Sequence, residues 1–64
     1  MDLSFEDEKP IDGQRIQAKF PDGEWYDVTY YDAGIDGLLE DNNDGLETEL
    51  EEYREITWRL PKGG

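Results

Sequence analysis

Four Asp-Gly pairs punctuate the sequence, at residues 12–13, 22–23, 36–37 and 44–45. Each pair predicts a turn, because glycine adopts positive φ at no steric cost and aspartate accepts hydrogen bonds from nearby backbone amides. The pairs divide the 64-residue chain into short segments. We therefore expect short elements joined by tight turns.

Three segments alternate apolar and polar residues, the period of a strand with one buried face. They are RIQAKF at 15–20, EWYDVTYY at 24–31 and EITWRL at 55–60. The Pro-Asp-Gly turn at 21–23 predicts a hairpin of the first two. The expected apolar positions are Ile16, Ala18, Phe20, Tyr26, Val28, Tyr30, Ile56, Trp58 and Leu60. Trp25, Thr29 and Tyr31 should point the other way.

These strands predict a mainly β fold: a small antiparallel sheet of three to five strands, curled or SH3-like, because three strands sharing an apolar face can be stable where one hairpin is marginal. We expect one small domain over residues 9–61. Residues 1–8 should form a flexible acidic N-terminus, and residues 62–64 a C-terminal tail.

Residues 46–53 allow two interpretations. Leu46, Leu50 and Tyr53 fall at helical spacing after Asp44, which favours a short helix with Asp44 as its cap. However, Leu46, Thr48 and Leu50 also alternate at the period of a strand. That pattern instead predicts a further hairpin with residues 37–40 as its first arm.

Composition argues against several classes of function. The chain has no cysteine and no histidine, so the usual zinc ligands and the usual nucleophile and base pairs are missing. It shows no phosphate-binding glycine loop and no basic stripe, which argues against direct nucleic-acid binding. No secretory signal or membrane span is visible. We expect a non-enzymatic cytoplasmic protein without a cofactor.

The segment EDNNDGLETELE, residues 40–51, invites comparison with a calcium-binding EF-hand loop. Placing Gly45 at the sixth position of such a loop puts oxygen donors at five ligand positions, namely Glu40, Asn42, Asp44, Thr48 and Glu51. However, Gly34 and Gly37 precede the segment and are incompatible with an incoming helix. We therefore predict no metal site and interpret the segment as a solvated acidic turn, with calcium left as the alternative.

Three stretches carry a family resemblance: PIDGQ at 10–14, VTYYDAG at 28–34 and ITWRLP at 56–61. In order and spacing they resemble a family of small phage and prophage proteins of unknown function, across roughly residues 9–61. The resemblance implies a phage-like origin and, with it, a bacterial host cytoplasm. It implies no biochemical activity and no functional residue.

Negative charge is the strongest remaining feature. The chain has 18 acidic and 6 basic residues, and the 12 acids between Lys19 and Arg54 are interrupted by no base. Such a block opposes folding through self-repulsion, which a cationic partner would relieve. We predict a small acidic phage-type protein that mimics nucleic acid and inhibits a basic host protein such as a nuclease or polymerase. The predicted surface comprises Asp32, Asp36, Glu40, Asp41, Asp44, Glu47, Glu49, Glu51 and Glu52.

Two other interpretations of these features remain. The acids are equally typical of a surface that only keeps the protein in solution. Alternatively, the chain is an SH3- or Tudor-like interaction module whose anchors are Trp25, Tyr31 and Tyr53, with Trp25, Tyr31 and Asp32 able to form a cage for a methylated cation. Aromatic residues in so small a domain also serve simply to pack its core.

Overall fold

The computed structural model describes residues 2–52 and 55–61. These residues contain six strands in one antiparallel sheet: β1 Leu3–Ser4, β2 Arg15–Lys19, β3 Trp25–Tyr31, β4 Leu38–Asp41, β5 Glu47–Glu49 and β6 Thr57–Arg59. The order across the sheet is β1-β6-β2-β3-β4-β5, so the sheet is open, with β1 and β5 at its edges. The mainly β antiparallel prediction is confirmed, with six strands rather than three to five.

The β2–β3 hairpin forms as predicted, with the expected apolar positions of the two strands on one face. Ile16 lies opposite Val28 and Ala18 opposite Tyr26. The Phe20 amide donates to the Glu24 carbonyl at 3.1 Å, and Gly23 adopts a φ of 86° in the turn. This hairpin forms the centre of the sheet.

The core lies on one face of the sheet, which we call the inner face. It is built from residues in the strands and in the segments that connect them: Phe5, Ile16, Ala18, Val28, Tyr30, Leu39, Leu50, Ile56 and Trp58. Phe20 and Tyr26 pack against this cluster while partly exposed. Leu60, predicted to share the apolar face, is 62% exposed because β6 ends at Arg59. The alternation there stops one residue earlier than the sequence suggests.

The N-terminal segment belongs to the folded domain, contrary to the predicted boundary at residue 9. Leu3–Ser4 pair with β6, and the Phe5 side chain is buried. The Phe5 ring centroid lies 6.0 Å from that of Tyr30 and 6.0 Å from that of Trp58. The Trp58 indole also donates to the Glu8 carbonyl oxygen at 3.0 Å. Two paired residues are too few to produce a periodic signal, which is why the sequence hides this strand.

The short helix favoured over residues 46–53 is wrong, and the hairpin alternative is correct for the described residues. β5 pairs with β4, Leu39 lying opposite Thr48, and a single 3-10 turn follows at Leu50–Glu52. Leu46, which the helix would have buried, is 66% exposed. Pairing with β4 supplies partners for the backbone amides of β5, so tertiary context overrides the helical spacing.

Candidate functional site

The face of the sheet opposite the core, here called the outer face, separates positive from negative charge. Strand alternation places Arg15, Lys19 and Arg59 on this face of β2 and β6. It places Glu40, Glu47 and Glu49 on the same face of β4 and β5. The β4–β5 side of the outer face is therefore acidic and the β2–β6 side basic.

The acidic side brings like charges into direct opposition. Glu40 of β4 lies across from Glu47 of β5, a pairing that places Cβ atoms roughly 5 Å apart. Tyr31 on β3 donates its hydroxyl to Glu40 Oε1 at 3.3 Å, and the Glu40 charge is the main reason that the pKa of Tyr31 is raised. The Tyr31 side chain is therefore a neutral hydrogen-bond donor, and the negative charge of Glu40 remains.

A second group of acids gathers at the 3-10 turn. Partial desolvation raises the pKa of Glu51, and the Glu49 carboxylate raises it further through charge and a side-chain hydrogen bond. Glu52 and Asp36 add smaller contributions of the same sign. These four carboxylates therefore extend the negative potential of β5 around its edge.

The nine predicted acids do not form a single flat surface. They divide into an outer-face group (Glu40, Glu47, Glu49), a group at the 3-10 turn (Asp36, Glu51, Glu52), an inner-face pair (Asp41, Asp44) and Asp32. Asp32 follows β3, where its backbone amide donates to Asp12 Oδ1 at 2.8 Å. The predicted surface therefore wraps around both faces of the β4–β5 hairpin.

A cleft of about 290 Å³ opens on the inner face, beyond the edge of the core. Phe20, Tyr26 and Leu46 supply its apolar and aromatic sides, and Asp22, Asp41 and Asp44 also line it. The Phe20 and Tyr26 rings meet edge to face with centroids 5.1 Å apart. Val28, Leu39 and Thr48 complete the lining. Apolar walls beside three carboxylates are suited to a group that is both apolar and cationic.

Hydrogen bonds fix the acids of this cleft in place. Tyr26 donates its hydroxyl to Asp22 Oδ2 at 2.6 Å, which is the main reason that the pKa of Asp22 is lowered and that of Tyr26 raised. Asp41 Oδ1 accepts the Asn43 amide at 2.7 Å, and Asp44 Oδ1 accepts the Leu46 amide at 2.9 Å. A carboxylate has about four acceptor positions, so each retains capacity for a ligand.

The proposed aromatic cage is not formed. Trp25 and Tyr31 are six residues apart on β3, which corresponds to roughly 20 Å along a strand. The Arg59 guanidinium lies 3.9 Å from the centroid of the Trp25 ring, while its Nε donates to Gln17 Oε1 at 2.8 Å. One face of Trp25 is therefore already covered by a cation. Tyr53, the third predicted anchor, lies outside the described residues.

The EF-hand interpretation of residues 40–51 is also wrong as a fold, because the loop connects two paired strands. Its Asn42 Oδ1 accepts the Thr29 hydroxyl at 2.7 Å. Within residues 2–52 and 55–61, no group of three or more Asp, Glu, His or Cys is arranged to hold a metal ion. The oxygens of Asp41, Asn42 and Asp44 instead stabilise the hairpin loop.

Comparison with known proteins gives no family for this chain. No protein-family model matches it, and neither a curated protein nor a solved structure does. The phage-family resemblance thus stays a prediction. Across the described parts of the chain, no helix has the length and apolar character needed to cross a membrane.

Of the residues that line the cleft, the sequence predicts a binding role only for Asp41 and Asp44. The sequence correctly predicts Phe20 and Tyr26 on the apolar face, but it carries no signal of their partial exposure, and at Asp22 it predicts only a turn. For Leu46 the spacing favours a helix, with a hairpin as the alternative, and neither interpretation predicts a cleft. Asp22 and Asp44 each belong to one of the four Asp-Gly pairs, and this is the sequence pattern that the two loops share.

Proposed function

We propose that this chain is a non-enzymatic inhibitory protein that binds the cationic nucleic-acid-binding surface of another protein, such as a nuclease or polymerase. It would occupy that surface in place of DNA or RNA. The observation that carries the proposal is the concentration of carboxylates around the β4–β5 hairpin, where Glu40 and Glu47 are paired directly.

The charge density is comparable with that of a nucleic acid. The molecule is 30 Å long in its longest dimension and has a net charge of −12. A 30 Å length of duplex DNA carries roughly 18 phosphates, at one charge per 1.7 Å. The protein therefore presents about two thirds of the charge of a duplex of equal length, enough to compete for a surface lined by lysine and arginine.

The energetics of the free protein also favour a cationic partner. Like charges directly opposite each other across two strands are destabilising. A partner that places cations beside the Glu40–Glu47 pair and beside Glu49 and Glu51 would relieve that repulsion. Binding energy would then include the repulsion removed as well as the attraction gained.

The separation of charge on the outer face gives the encounter a direction. The basic residues on β2 and β6 lie at the far side of the sheet from Glu47 and Glu49. A basic partner is therefore attracted more strongly to the β4–β5 side than to the β2–β6 side. Such steering acts mainly on the association rate and weakens as salt is added.

The test begins with the tagged protein immobilised and exposed to bacterial lysate at low ionic strength, followed by a salt gradient. A captured protein that elutes at moderate salt is purified and bound to a fluorescent DNA duplex, and unlabelled protein is then titrated in. The proposal predicts that the fluorescence anisotropy falls to the value of free duplex. Captured proteins that retain their duplex at saturating concentrations of the chain would refute inhibition by mimicry.

A further inference from the structure

We propose that the inner-face cleft receives an arginine side chain of the basic partner, and so determines which basic segments bind. This inference rests on the proposed function and deepens it, because it separates one specific contact from the general attraction of the acidic hairpin. The cleft is lined by Phe20, Tyr26, Leu46, Asp22, Asp41 and Asp44.

The size and walls of the cleft suit a single long side chain. Its volume of about 290 Å³ lies at the lower limit of sites for drug-sized ligands. The Leu46 side chain is 66% exposed at the cleft, so it can bury apolar area against an incoming group. An apolar stem could lie against Leu46 while its charged end reaches the carboxylates, as arginine and lysine stems do at protein surfaces.

Charge and geometry favour arginine over lysine as the occupant. A guanidinium stacks on aromatic rings and donates to a carboxylate in a two-pronged arrangement, whereas an ammonium acts as a point charge. The cleft offers both partners, since the Tyr26 ring lies beside Asp22 and Asp41. The molecule already contains one such stacking contact, between Arg59 and Trp25.

The carboxylates are held ready for this role. Asp22 is fixed by the Tyr26 hydroxyl, and Asp41 and Asp44 are fixed by the backbone amides of their own loop. Little conformational entropy is then lost when a cation binds, because the acceptors are ordered beforehand. A carboxylate that no hydrogen bond holds in place would attract arginine and lysine alike.

Titration of the ¹⁵N-labelled protein with octa-arginine and octa-lysine peptides tests the inference by NMR. We expect octa-arginine to bind at least about threefold more tightly, with the largest amide shifts at Tyr26, Leu46 and Thr48. Equal affinity for the two peptides would overturn the assignment to arginine. Shifts confined to Glu47, Glu49 and the 3-10 turn would overturn the assignment to the cleft.

Two variants with equal charge change locate the contact. Asp41→Asn/Asp44→Asn keeps the loop acceptors, and we expect it to weaken octa-arginine binding about tenfold. Glu47→Gln/Glu49→Gln on the outer face is the matched control and should weaken it by no more than about threefold. Leu46→Ser changes no charge and should weaken binding about threefold. Dispersed amide spectra establish that each variant is folded.

The outcomes separate this inference from the proposed function. Equal losses in the two double variants, with Leu46→Ser unchanged, would mean that charge alone attracts the peptide and would overturn the cleft. The proposed function would still stand if the wild-type chain displaced duplex from its captured protein. Failure of that displacement, with octa-arginine bound in the cleft, would refute the proposed function and leave only an arginine-binding site.

Discussion

Glu40 and Glu47 lie directly opposite each other on β4 and β5, at the acidic edge of the sheet. The chain therefore keeps a repulsive pair where one basic residue would stabilise the hairpin. The same edge carries Glu49, and Glu51 and Glu52 follow it in the 3-10 turn. We interpret this arrangement as a surface shaped for binding at the expense of stability.

Replacing one member of the pair tests the repulsion. Glu47→Lys should raise the midpoint of thermal unfolding by roughly 2–5 °C at low salt, because it turns a repulsive cross-strand pair into an attractive one. Glu47→Gln should give a smaller increase, and added NaCl should reduce both effects. Circular dichroism melts at two salt concentrations measure this. A melting temperature unchanged in both variants would show that the pair is too well solvated to matter.

Gly37 and Gly45 provide a matched test of packing against the core. Both have positive φ, but a Cβ at Gly37 would lie 2.6 Å from Tyr30 Cε1, whereas one at Gly45 would meet no atom within 4 Å. Gly45→Ala should cost about 1–2 kcal/mol through backbone strain alone. Gly37→Ala should cost about 1–3 kcal/mol more, because Tyr30 must move. Urea unfolding compares the two, and equal costs would contradict the close contact.

The hydrogen bond between Tyr26 and Asp22 predicts a pH dependence. The native pKa of Asp22 is lowered, so its contribution to stability is fully present above the unfolded pKa of about 3.9 and is lost as pH falls through the native value. The pKa of Glu51 is raised, so its ionisation opposes folding at neutral pH and this cost is relieved as pH falls towards about 4.3. Stability should therefore peak at mildly acidic pH.

Two variants test whether Asp22 causes the loss of folding stability at acidic pH. Asp22→Asn and Tyr26→Phe should each flatten the loss of stability below about pH 4, since one removes the titrating group and the other its hydroxyl donor. Tyr26→Phe keeps the ring against Phe20. The melting temperature of each variant is measured between about pH 2.5 and pH 7, a range that includes the ordinary pKa values of aspartate and glutamate. If both variants lose stability below about pH 4 as the wild type does, the loss cannot be attributed to Asp22.

Phe5 tests whether the N-terminal segment belongs to the domain. Its burial against Tyr30 and Trp58 predicts that Phe5→Ala costs about 3–5 kcal/mol. A core of this size supplies about the same net stability, so the variant should be largely unfolded at 25 °C. Ile11→Ala is the control, since Ile11 is 77% exposed and should change stability by less than about 0.5 kcal/mol. A Phe5→Ala variant that remains folded would instead support a domain that begins at residue 9.

The central hairpin was predictable because its information is local. Ile16, Ala18, Val28 and Tyr30 alternate with polar residues on either side of a Pro-Asp-Gly turn, and period, turn chemistry and aromatic content agree. β5 was ambiguous because Glu47 and Glu49 flank one threonine, so its pairing comes from β4. Local spacing of Leu46 and Leu50 favoured a helix that this pairing overrides.

The cleft was not predictable, because it depends on contacts between distant segments. Val28 must lie opposite Asp41, and Leu39 opposite Thr48, before the second loop reaches Phe20 and Tyr26. A slip of one residue in either pairing would turn these side chains to the other face. The acidic block itself was evident from composition, but its division between two faces needed the register.

Inhibition by two charge-matched variants tests the central claim most directly. One carries Gln at Glu47, Glu49, Glu51 and Glu52, and the other removes the exposed acids Glu6, Asp7, Glu8 and Glu55 as Gln or Asn, so that each loses four of the net 12 negative charges. Both are titrated against the captured protein bound to labelled duplex. If the acidic β4–β5 hairpin is the binding surface, the first variant loses displacement by at least about tenfold while the second stays close to wild type. Equal loss in both variants would show that net charge alone acts, and would contradict the account.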